Sequence, residues 1–142
     1  MRADWEGVAE ELDEIAAAAA GLIGTPAALV TIVDERMWVA GRFNTRLHGL
    51  ERQECVCAHG IAQSDRVLCI PDLQADARFA AMPIAQGPEA VRFYVGAPLV
   101  GGTGAAFGML CAVDQSPRAA PPEQQCRALQ RLARAAAARL AA

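Results

Sequence analysis

The residues with the most chemical potential stand together in the middle of the chain, as Cys55, Cys57 and His59 in the run Cys-Val-Cys-Ala-His. In extended backbone alternate residues point to the same side, so two thiols and an imidazole would share one face. Thiolates and imidazoles are ligands for zinc, and His48 is an available fourth ligand. Structural zinc sites, however, usually have roughly two to four residues between their cysteines. We therefore expect no metal and predict buried, reduced thiols, because unpaired cysteine packs as a small hydrophobic residue.

The five cysteines as a set suggest a second kind of chemistry. Their odd number and irregular spacing do not match the disulfide framework of a small secreted protein. A thiol reductase needs an activated thiolate and a second thiol that resolves its oxidised form, and Cys57, Cys69 and Cys111 are on segments that could converge. The sequence shows neither a Ser-His-Asp arrangement nor paired carboxylates. We predict no catalytic residues and keep a thiol enzyme as an alternative.

A third candidate is ligand binding by Arg92 and Tyr94. In a strand these two side chains face one side of the sheet and Phe93 faces the other. An arginine and a tyrosine beside a loop can hold an anion or a carboxylate. The alternative is that Arg92 pairs with a nearby acid such as Asp72 or Asp114.

Sequence periodicity predicts the elements that position these residues. Apolar residues recur at spacings of three and four in 4–24 and 123–140, which predicts a helix at each end, and residues 57–64 favour a short third helix. Short apolar runs predict five strands: Ala27 to Val33, Met37 to Gly41, Val67 to Ile70, Arg92 to Val100 and Ala105 to Val113. Residues 43–54 are polar and irregular, and 73–90 is predicted to be a long loop of the kind that is often functional. The order predicts an α+β domain around an antiparallel sheet.

Composition and charge exclude several classes of function. The 142 residues have the length of one domain. A net charge of −3 argues against nucleic-acid binding, which requires a clustered basic face. No apolar run is long enough to span a bilayer, and the acidic start does not fit a signal peptide. We expect a cytoplasmic protein with neither nucleic acid nor a membrane as partner.

The two terminal helices have opposite charge. Residues 1–24 contain six acidic residues and one arginine, whereas residues 119–142 contain four arginines and one glutamate. The charges either mark two solvated faces or flank two helices that lie side by side and antiparallel. We predict a homodimer through the terminal helices. The alternative is a monomer whose apolar helix residues pack only on its own sheet.

Several motifs resemble those of bacterial GAF domains and occur in the same order. They are Cys57-Ala-His-Gly-Ile61, Val33-Asp-Glu35, Pro71-Asp72 with Asp76-Ala-Arg-Phe79, Arg92-Phe-Tyr-Val-Gly-Ala-Pro-Leu99, and Gly108-Met-Leu-Cys-Ala-Val-Asp114 with Pro117-Arg118. The resemblance extends over roughly residues 10–118 and is closest to the sensory branch of the family. Bilin-binding members attach the pigment through a cysteine followed directly by histidine, and here Ala58 intervenes. We expect no cofactor and no metal.

The resemblance implies a fold and a function for residues 1–142 as a single domain. The terminal helices, 1–24 and 119–142, would cover one face of a sheet of five to six strands within the core, 25–118. The short helix and the long loop would enclose a small-molecule pocket on the other face. The expected pocket residues are Cys57, His59, Ile61, Phe79, Arg92, Tyr94, Met109 and Cys111.

The implied function is that of a non-catalytic sensory domain in signal transduction. It would bind an unknown small-molecule ligand and act through its terminal helices on an output domain or a kinase partner. The chain would be either a solo GAF protein or a piece of a larger sensor. Two alternatives remain: a pocketless dimerisation module, and a thiol-based enzyme related to the GAF branch that reduces free methionine sulfoxide.

Overall fold

The computed structural model describes residues 2–141, with the side chains of residues 5–140. Its helices are α1 (Ala9–Ile23), α2 (Cys57–Gly60) and α3 (Glu123–Ala141). Its strands are β1 (Ala27–Val33), β2 (Arg36–Phe43), β3 (Gly49–Glu51), β4 (Leu68–Ile70), β5 (Phe93–Val100) and β6 (Ala106–Asp114). Short 3-10 turns occur at Arg2–Val8, Arg52–Glu54, Leu73–Ala75 and Pro83–Ala85.

The strands form one antiparallel sheet in the order β3-β2-β1-β6-β5-β4, which confirms the predicted α+β fold. The turn at Asp34 and Glu35 joins β1 to β2, and β5 leads directly into β6. The two long central strands, β1 and β6, pair with each other. Every predicted strand is present, and β3 is an additional one. It has three residues, too few for an alternating pattern, and is defined only by its pairing with β2.

Two helix predictions need correction. The segment before Ala9 is a 3-10 turn, and Val8 makes no side-chain cap at the start of α1. Trp5 is nevertheless buried, so the turn is fixed by packing and not by a regular helical face. Helix α2 ends at Gly60, well short of residue 64, and continues as a turn.

The terminal helices lie side by side on the same face of the sheet. Arg139 near the end of α3 bonds Glu11 near the start of α1 at 2.9 Å. At the other end, Gln125 donates from Nε2 to the carbonyl of Leu22 at 3.3 Å. These two contacts show that the helices are antiparallel, which is the second of the two interpretations that their opposite charges left open.

Helix α1 lies unusually close to β2 because Gly41 has no side chain. A Cβ atom built at Gly41 would be 2.6 Å from Leu12 Cβ and 2.8 Å from the Leu12 carbonyl carbon and oxygen. Backbone of the helix therefore rests directly on backbone of the strand. This contact sets the distance between α1 and the sheet.

Strand alternation divides the apolar residues into two clusters, one on each face. Leu110 packs on the face covered by α1 and α3, together with Phe93 of β5. Met109 and Cys111 lie on the opposite face with Tyr94. The side assignment predicted for β5 and β6 is confirmed. Within residues 2–141, no helix has the length and apolar character needed to cross a membrane.

Candidate functional site

Helix α2 is seated directly on the face opposite the terminal helices. Its single turn is closed by hydrogen bonds from the amides of His59 and Ile61 to the carbonyls of Val56 and Cys57, at 3.0 and 3.1 Å. A Cβ atom on Gly60 would be 2.4 Å from Met109 Cε. The absence of a side chain at Gly60 thus allows α2 to contact β6 closely, and this contact places the cysteines that precede Gly60.

Three buried thiols meet beneath α2. Cys57 Sγ is 3.3 Å from Tyr94 Oη, within hydrogen-bonding distance. Cys55 Sγ accepts a hydrogen bond from the amide of Ala58 at 3.3 Å. Cys111 comes from β6, and its side chain lines the same small cavity as that of Cys57. All three side chains are almost inaccessible to solvent.

The mutual hydrogen bonds separate the pKa values of the three thiols. Hydrogen bonds from Cys111 and then Cys55 hold the pKa of Cys57 well below its usual value, against the effect of burial. The same bonds raise the pKa of Cys55 and of Cys111, and burial adds to the rise. Burial also raises the pKa of Tyr94. Cys57 is therefore the group in this cluster that ionises first, with protonated neighbours as donors.

Cys69 does not join this cluster, although the sequence allowed it to converge with Cys57 and Cys111. It packs on the other face of the sheet, on the side of α3, and interacts with Cys126 of that helix. Cys69 lies on the edge strand β4. The face of the sheet to which its side chain points depends on how β4 pairs with β5, and three residues are too few to predict that pairing from the sequence.

The side chains of Cys55, Cys57 and His59 do not lie on one face of the chain. Cys55 and Cys57 are buried, whereas His59 is exposed on the outside of α2. In the part of the chain that the structure describes, no three His, Cys, Asp or Glu side chains are grouped so that they could hold a metal ion. The turn into helix at Cys57 breaks the two-residue period on which a shared face depends.

Arg92 pairs with Asp72, which was the alternative to ligand binding. Its Nε and Nη2 each donate to one carboxylate oxygen at 2.7 Å. The Arg92 guanidinium holds the pKa of Asp72 below its usual value. The amide of Leu73 also donates to the Arg92 carbonyl, at 2.6 Å. Arg92 thus anchors the start of the long loop to the sheet.

A row of rings and cations borders α2. His59 meets the buried ring of Phe79 edge-on, with 4.8 Å between ring centroids. Arg78 lies over the same ring at 4.8 Å, and its Nε and Nη2 bond Asp76 at 3.0 and 2.8 Å. Ile61 is half-buried and packs against the same apolar cluster. The long loop is in this way attached to α2 through Phe79.

The interior behind α2 contains a cavity of about 30 Å³. Cys57, Tyr94 and Cys111 line it, together with apolar residues from β1, β2, β3, β6 and the connecting segments: Leu29, Met37, Leu47, Leu50, Val56, Leu73, Ile84, Val91 and Val113. A cavity of this size holds a water molecule or two, whereas pockets for small ligands measure roughly 300–1,000 Å³. In this conformation the enclosed space does not admit a metabolite.

An open groove of about 580 Å³ lies on the outer side of α2. It is lined by Arg52, Gln53, Ala58, His59, Ala62, Gln63, Leu68 and Arg78. Of the eight residues predicted to line a pocket, only His59 belongs to this groove, and Cys57, Tyr94 and Cys111 belong to the small cavity. That the eight together bind a ligand stays a prediction. Arg52 and Arg78 were missed because their loops have no periodicity from which a direction can be derived.

A family model described as the GAF domain matches residues 8–140. The chain belongs to the GAF domain family. Members of this family serve in signalling and sensing, which confirms the general function that the motifs imply.

The sequence of this GAF domain is similar to one part of a larger known protein. A cyclic di-GMP phosphodiesterase of Pseudomonas aeruginosa, PA2567, is 35% identical over 136 residues. The match covers 95% of this chain but only 23% of that protein, so the chain spans less than a quarter of its relative.

Two solved structures share the fold at low sequence identity. The PixJ GAF domain of Thermosynechococcus elongatus, in its blue-light absorbing form, has a TM-score of 0.75 and 16% identity, over 96% of this chain and 86% of that one. A type II free methionine-R-sulfoxide reductase of Thermoplasma acidophilum has a TM-score of 0.76 and 8% identity, over 96% and 94%. At these identities the similarity demonstrates the fold alone.

Proposed function

We propose that this GAF domain is a non-catalytic sensory domain that binds a small anionic molecule in the groove beside α2. The observation that carries the proposal is the groove itself, because its volume of about 580 Å³ falls in the range of small-ligand sites. Its lining combines two arginines and a histidine with two glutamines, and its apolar part consists of Ala58, Ala62 and Leu68.

The arginines of the groove favour a carboxylate or phosphate ligand. A guanidinium group is planar and binds such anions through paired hydrogen bonds. Arg78 is held in place by Asp76, which engages Nε and Nη2, and by the ring of Phe79. Its Nη1 is not engaged by Asp76 and can donate to a ligand with little loss of side-chain entropy. Arg52 also lines the groove, and His59 adds a ring nitrogen that can donate a hydrogen bond.

The groove is connected to the terminal helices through the sheet. Helix α2 rests on β6 through Gly60, and it also approaches β1 and β5. Helices α1 and α3 pack on the opposite face of these same strands. A ligand that shifts α2 therefore acts on the strands that support α1 and α3. The output partner in this proposal is a kinase or an output domain, and the relative's name favours a cyclic di-GMP phosphodiesterase.

Ligand binding is tested by thermal unfolding with a panel of probes. The probes are inorganic phosphate, citrate, cyclic AMP, cyclic GMP and cyclic di-GMP, with glucose and adenosine as uncharged controls. A ligand at about 100 times its Kd stabilises the folded state by about 2.7 kcal/mol, which raises the Tm by several degrees. Native mass spectrometry of freshly purified protein checks for a ligand that was carried through purification.

Variants locate the site. Arg52→Gln and Arg78→Gln are expected to abolish the rise in Tm caused by the active probe, because each removes a cation from the groove. Arg131→Gln, an exposed position on α3, is the matched control and should leave the rise unchanged. If no charged probe raises the Tm and no ligand is carried through purification, the proposal is refuted.

The same proposal includes a homodimer through α1 and α3. Trp5, Leu12 and Leu129 are buried on the chain's own sheet and have no area left to contribute. Four other apolar side chains of these helices are only half-buried: Ile15, Leu22, Leu132 and Leu140. In sedimentation, Ile15→Glu and Leu132→Glu should each shift the dimer toward monomer, because both replace a half-buried apolar side chain of the proposed interface. A full-length protein that is monomeric at about 100 µM would contradict the dimer.

A second candidate function is a dimerisation module without a ligand. The small size of the cavity between α2 and the sheet favours it, since about 30 Å³ excludes a metabolite from the interior. This candidate predicts a dimer whose Tm responds to none of the probes. The thermal panel and the sedimentation experiment together separate the two functions.

A further inference from the structure

The thiols beneath α2 are not used by the proposed groove ligand, yet they are arranged for chemistry of their own. Cys57 and Cys111 come from different elements, belong to the same buried cluster and line the same small cavity. Cys55 and Tyr94 complete the cluster. A cysteine that only fills space in a core has apolar neighbours. The three cysteines beneath α2 instead lie close to one another and to the hydroxyl group of Tyr94.

We propose that Cys57 and Cys111 form a reversible disulfide when the folded protein reacts with hydrogen peroxide. The bond would tie α2 covalently to β6. Because α2 carries Ala58 and His59 on the groove wall, oxidation would fix one position of that wall. Formation of the disulfide does not depend on the identity, or the existence, of a groove ligand.

The reaction takes two steps and balances with one peroxide. The Cys57 thiolate attacks one peroxide oxygen, the O–O bond breaks, and Cys57 becomes a sulfenic acid with release of hydroxide. The Cys111 sulfur then attacks the sulfenic sulfur, and its proton leaves with the hydroxyl group as water. Two thiols lose two electrons in total, and one hydrogen peroxide is reduced to two waters. A dithiol such as dithiothreitol reverses the bond by thiol–disulfide exchange.

The surroundings of Cys57 suit the first step. A thiolate is the reactive form of cysteine, and hydrogen bonds from neighbouring thiols lower the pKa of Cys57. Tyr94 Oη, at 3.3 Å, is a further hydrogen-bonding partner for this sulfur. The cavity beside it has room for about one or two small neutral molecules and an otherwise apolar wall. Peroxide matches that size and neutrality, whereas bulky or charged oxidants are excluded.

Cys111 is favoured over Cys55 as the second cysteine. Cys55 is separated from Cys57 by one residue, and its sulfur is engaged by the amide of Ala58 at the start of α2. A bond between them would close a very short loop, which strains disulfide geometry. Cys111 lies in the middle of β6 and lines the same cavity as Cys57, and its thiol is the largest cause of the lowered pKa of Cys57.

The sequence allows the disulfide to be located by peptide mapping. Trypsin cleaves after the arginines, so Cys55 and Cys57 fall in peptide 53–66 and Cys111 falls in peptide 93–118. Cys69 and Cys126 fall in peptides 67–78 and 119–127. The folded protein is treated with a few equivalents of peroxide, alkylated and digested without reductant. We expect 53–66 linked to 93–118, and loss of the link after dithiothreitol.

Variants assign the link to one cysteine of peptide 53–66. Cys55→Ser should retain the link and Cys57→Ser should lose it, whereas Cys69→Ser is a control that should retain it. If Cys57→Ser does not fold, the wild type and Cys55→Ser still decide the question. A loss of two hydrogens within 53–66 alone means a Cys55–Cys57 bond and overturns the proposal. The proposal is also overturned if folded protein, checked by circular dichroism, gives no 53–66 to 93–118 link.

Discussion

Replacing Gly41 with alanine is expected to lift α1 from the sheet. The new Cβ would be 2.6 Å from Leu12 Cβ and 2.8 Å from the carbonyl carbon and oxygen of Leu12. Contacts with backbone atoms cannot be relieved by a change of rotamer. The helix must therefore move by several tenths of an ångström or more to bring these distances near 3.4 Å, the shorter end of ordinary Cβ contacts.

The expected cost follows from overpacking of a close-packed interface. Insertion of an extra methyl group where the core has no space destabilises a protein by about 1–3 kcal/mol. For a chain of this length the Tm should fall by roughly 3–10 °C. Since α1 is one of the two helices proposed to transmit the signal, its displacement should also weaken the proposed dimer.

Urea and thermal unfolding followed by circular dichroism measure the effect. The matched control is Gly21→Ala, which makes the same substitution at an exposed site of α1 with no atom within 4 Å of the new Cβ. Because alanine favours helix over glycine, this control should be more stable than the wild type by about 0.5–1 kcal/mol. If Gly41→Ala is as stable as the wild type, the backbone contact described for α1 and β2 is wrong.

Three further measurements test a core residue and two ion pairs. In urea titrations, Leu129→Ala should lower the free energy of unfolding by about 2–5 kcal/mol, since Leu129 is fully buried; a loss below about 1 kcal/mol would contradict its place in the core. Because Arg92 lowers the pKa of Asp72, this pair stabilises the fold above the ordinary carboxyl pKa of about 4 and ceases to do so as the pH falls through the lowered value. The stability difference between wild type and Asp72→Asn should therefore narrow below about pH 4, and a constant difference would refute the assignment. Arg139→Ala, which breaks an exposed pair with Glu11, should cost less than about 1 kcal/mol by the same titrations.

Much of the fold could be predicted from the sequence because the determinants are local. An alternating pattern assigns successive side chains to opposite faces, so Met109 and Cys111 could be separated from Leu110 without a structure. Helical spacing gave α1 and α3, and their opposite charges indicated the antiparallel pair that Arg139 and Glu11 now show. The resemblance to GAF domains then implied an antiparallel sheet with both terminal helices on one face, whereas the order of the strands came from the structure.

The spacing of apolar residues was a less reliable guide to which residues of a helix are buried. The three-four spacing of α1 correctly includes Leu12 and Ala19, which are fully buried. It also includes Ile15 and Leu22, which are only half-buried, and it omits the fully buried Ala16. The alanines are buried because α1 lies close to the sheet, where small side chains fit. A prediction based on apolar spacing favours large side chains over alanine. The predicted buried face of α1 is therefore displaced by about one residue from the observed face.

The candidate site was determined by tertiary structure. The packing of β4, β6 and the long loop decides which acid pairs with Arg92 and which cysteine lies beside Cys57. Short segments such as β3 and α2 gain their geometry from the strands they contact, and single atoms matter: Gly60 allows α2 to rest on Met109. By itself the sequence determined five strands, the two terminal α-helices and the faces of the sheet, because periodicity is a property of adjacent residues. Only the tertiary structure decided the basic groove and the cluster of thiols beneath α2, because both bring together side chains that are distant in the chain.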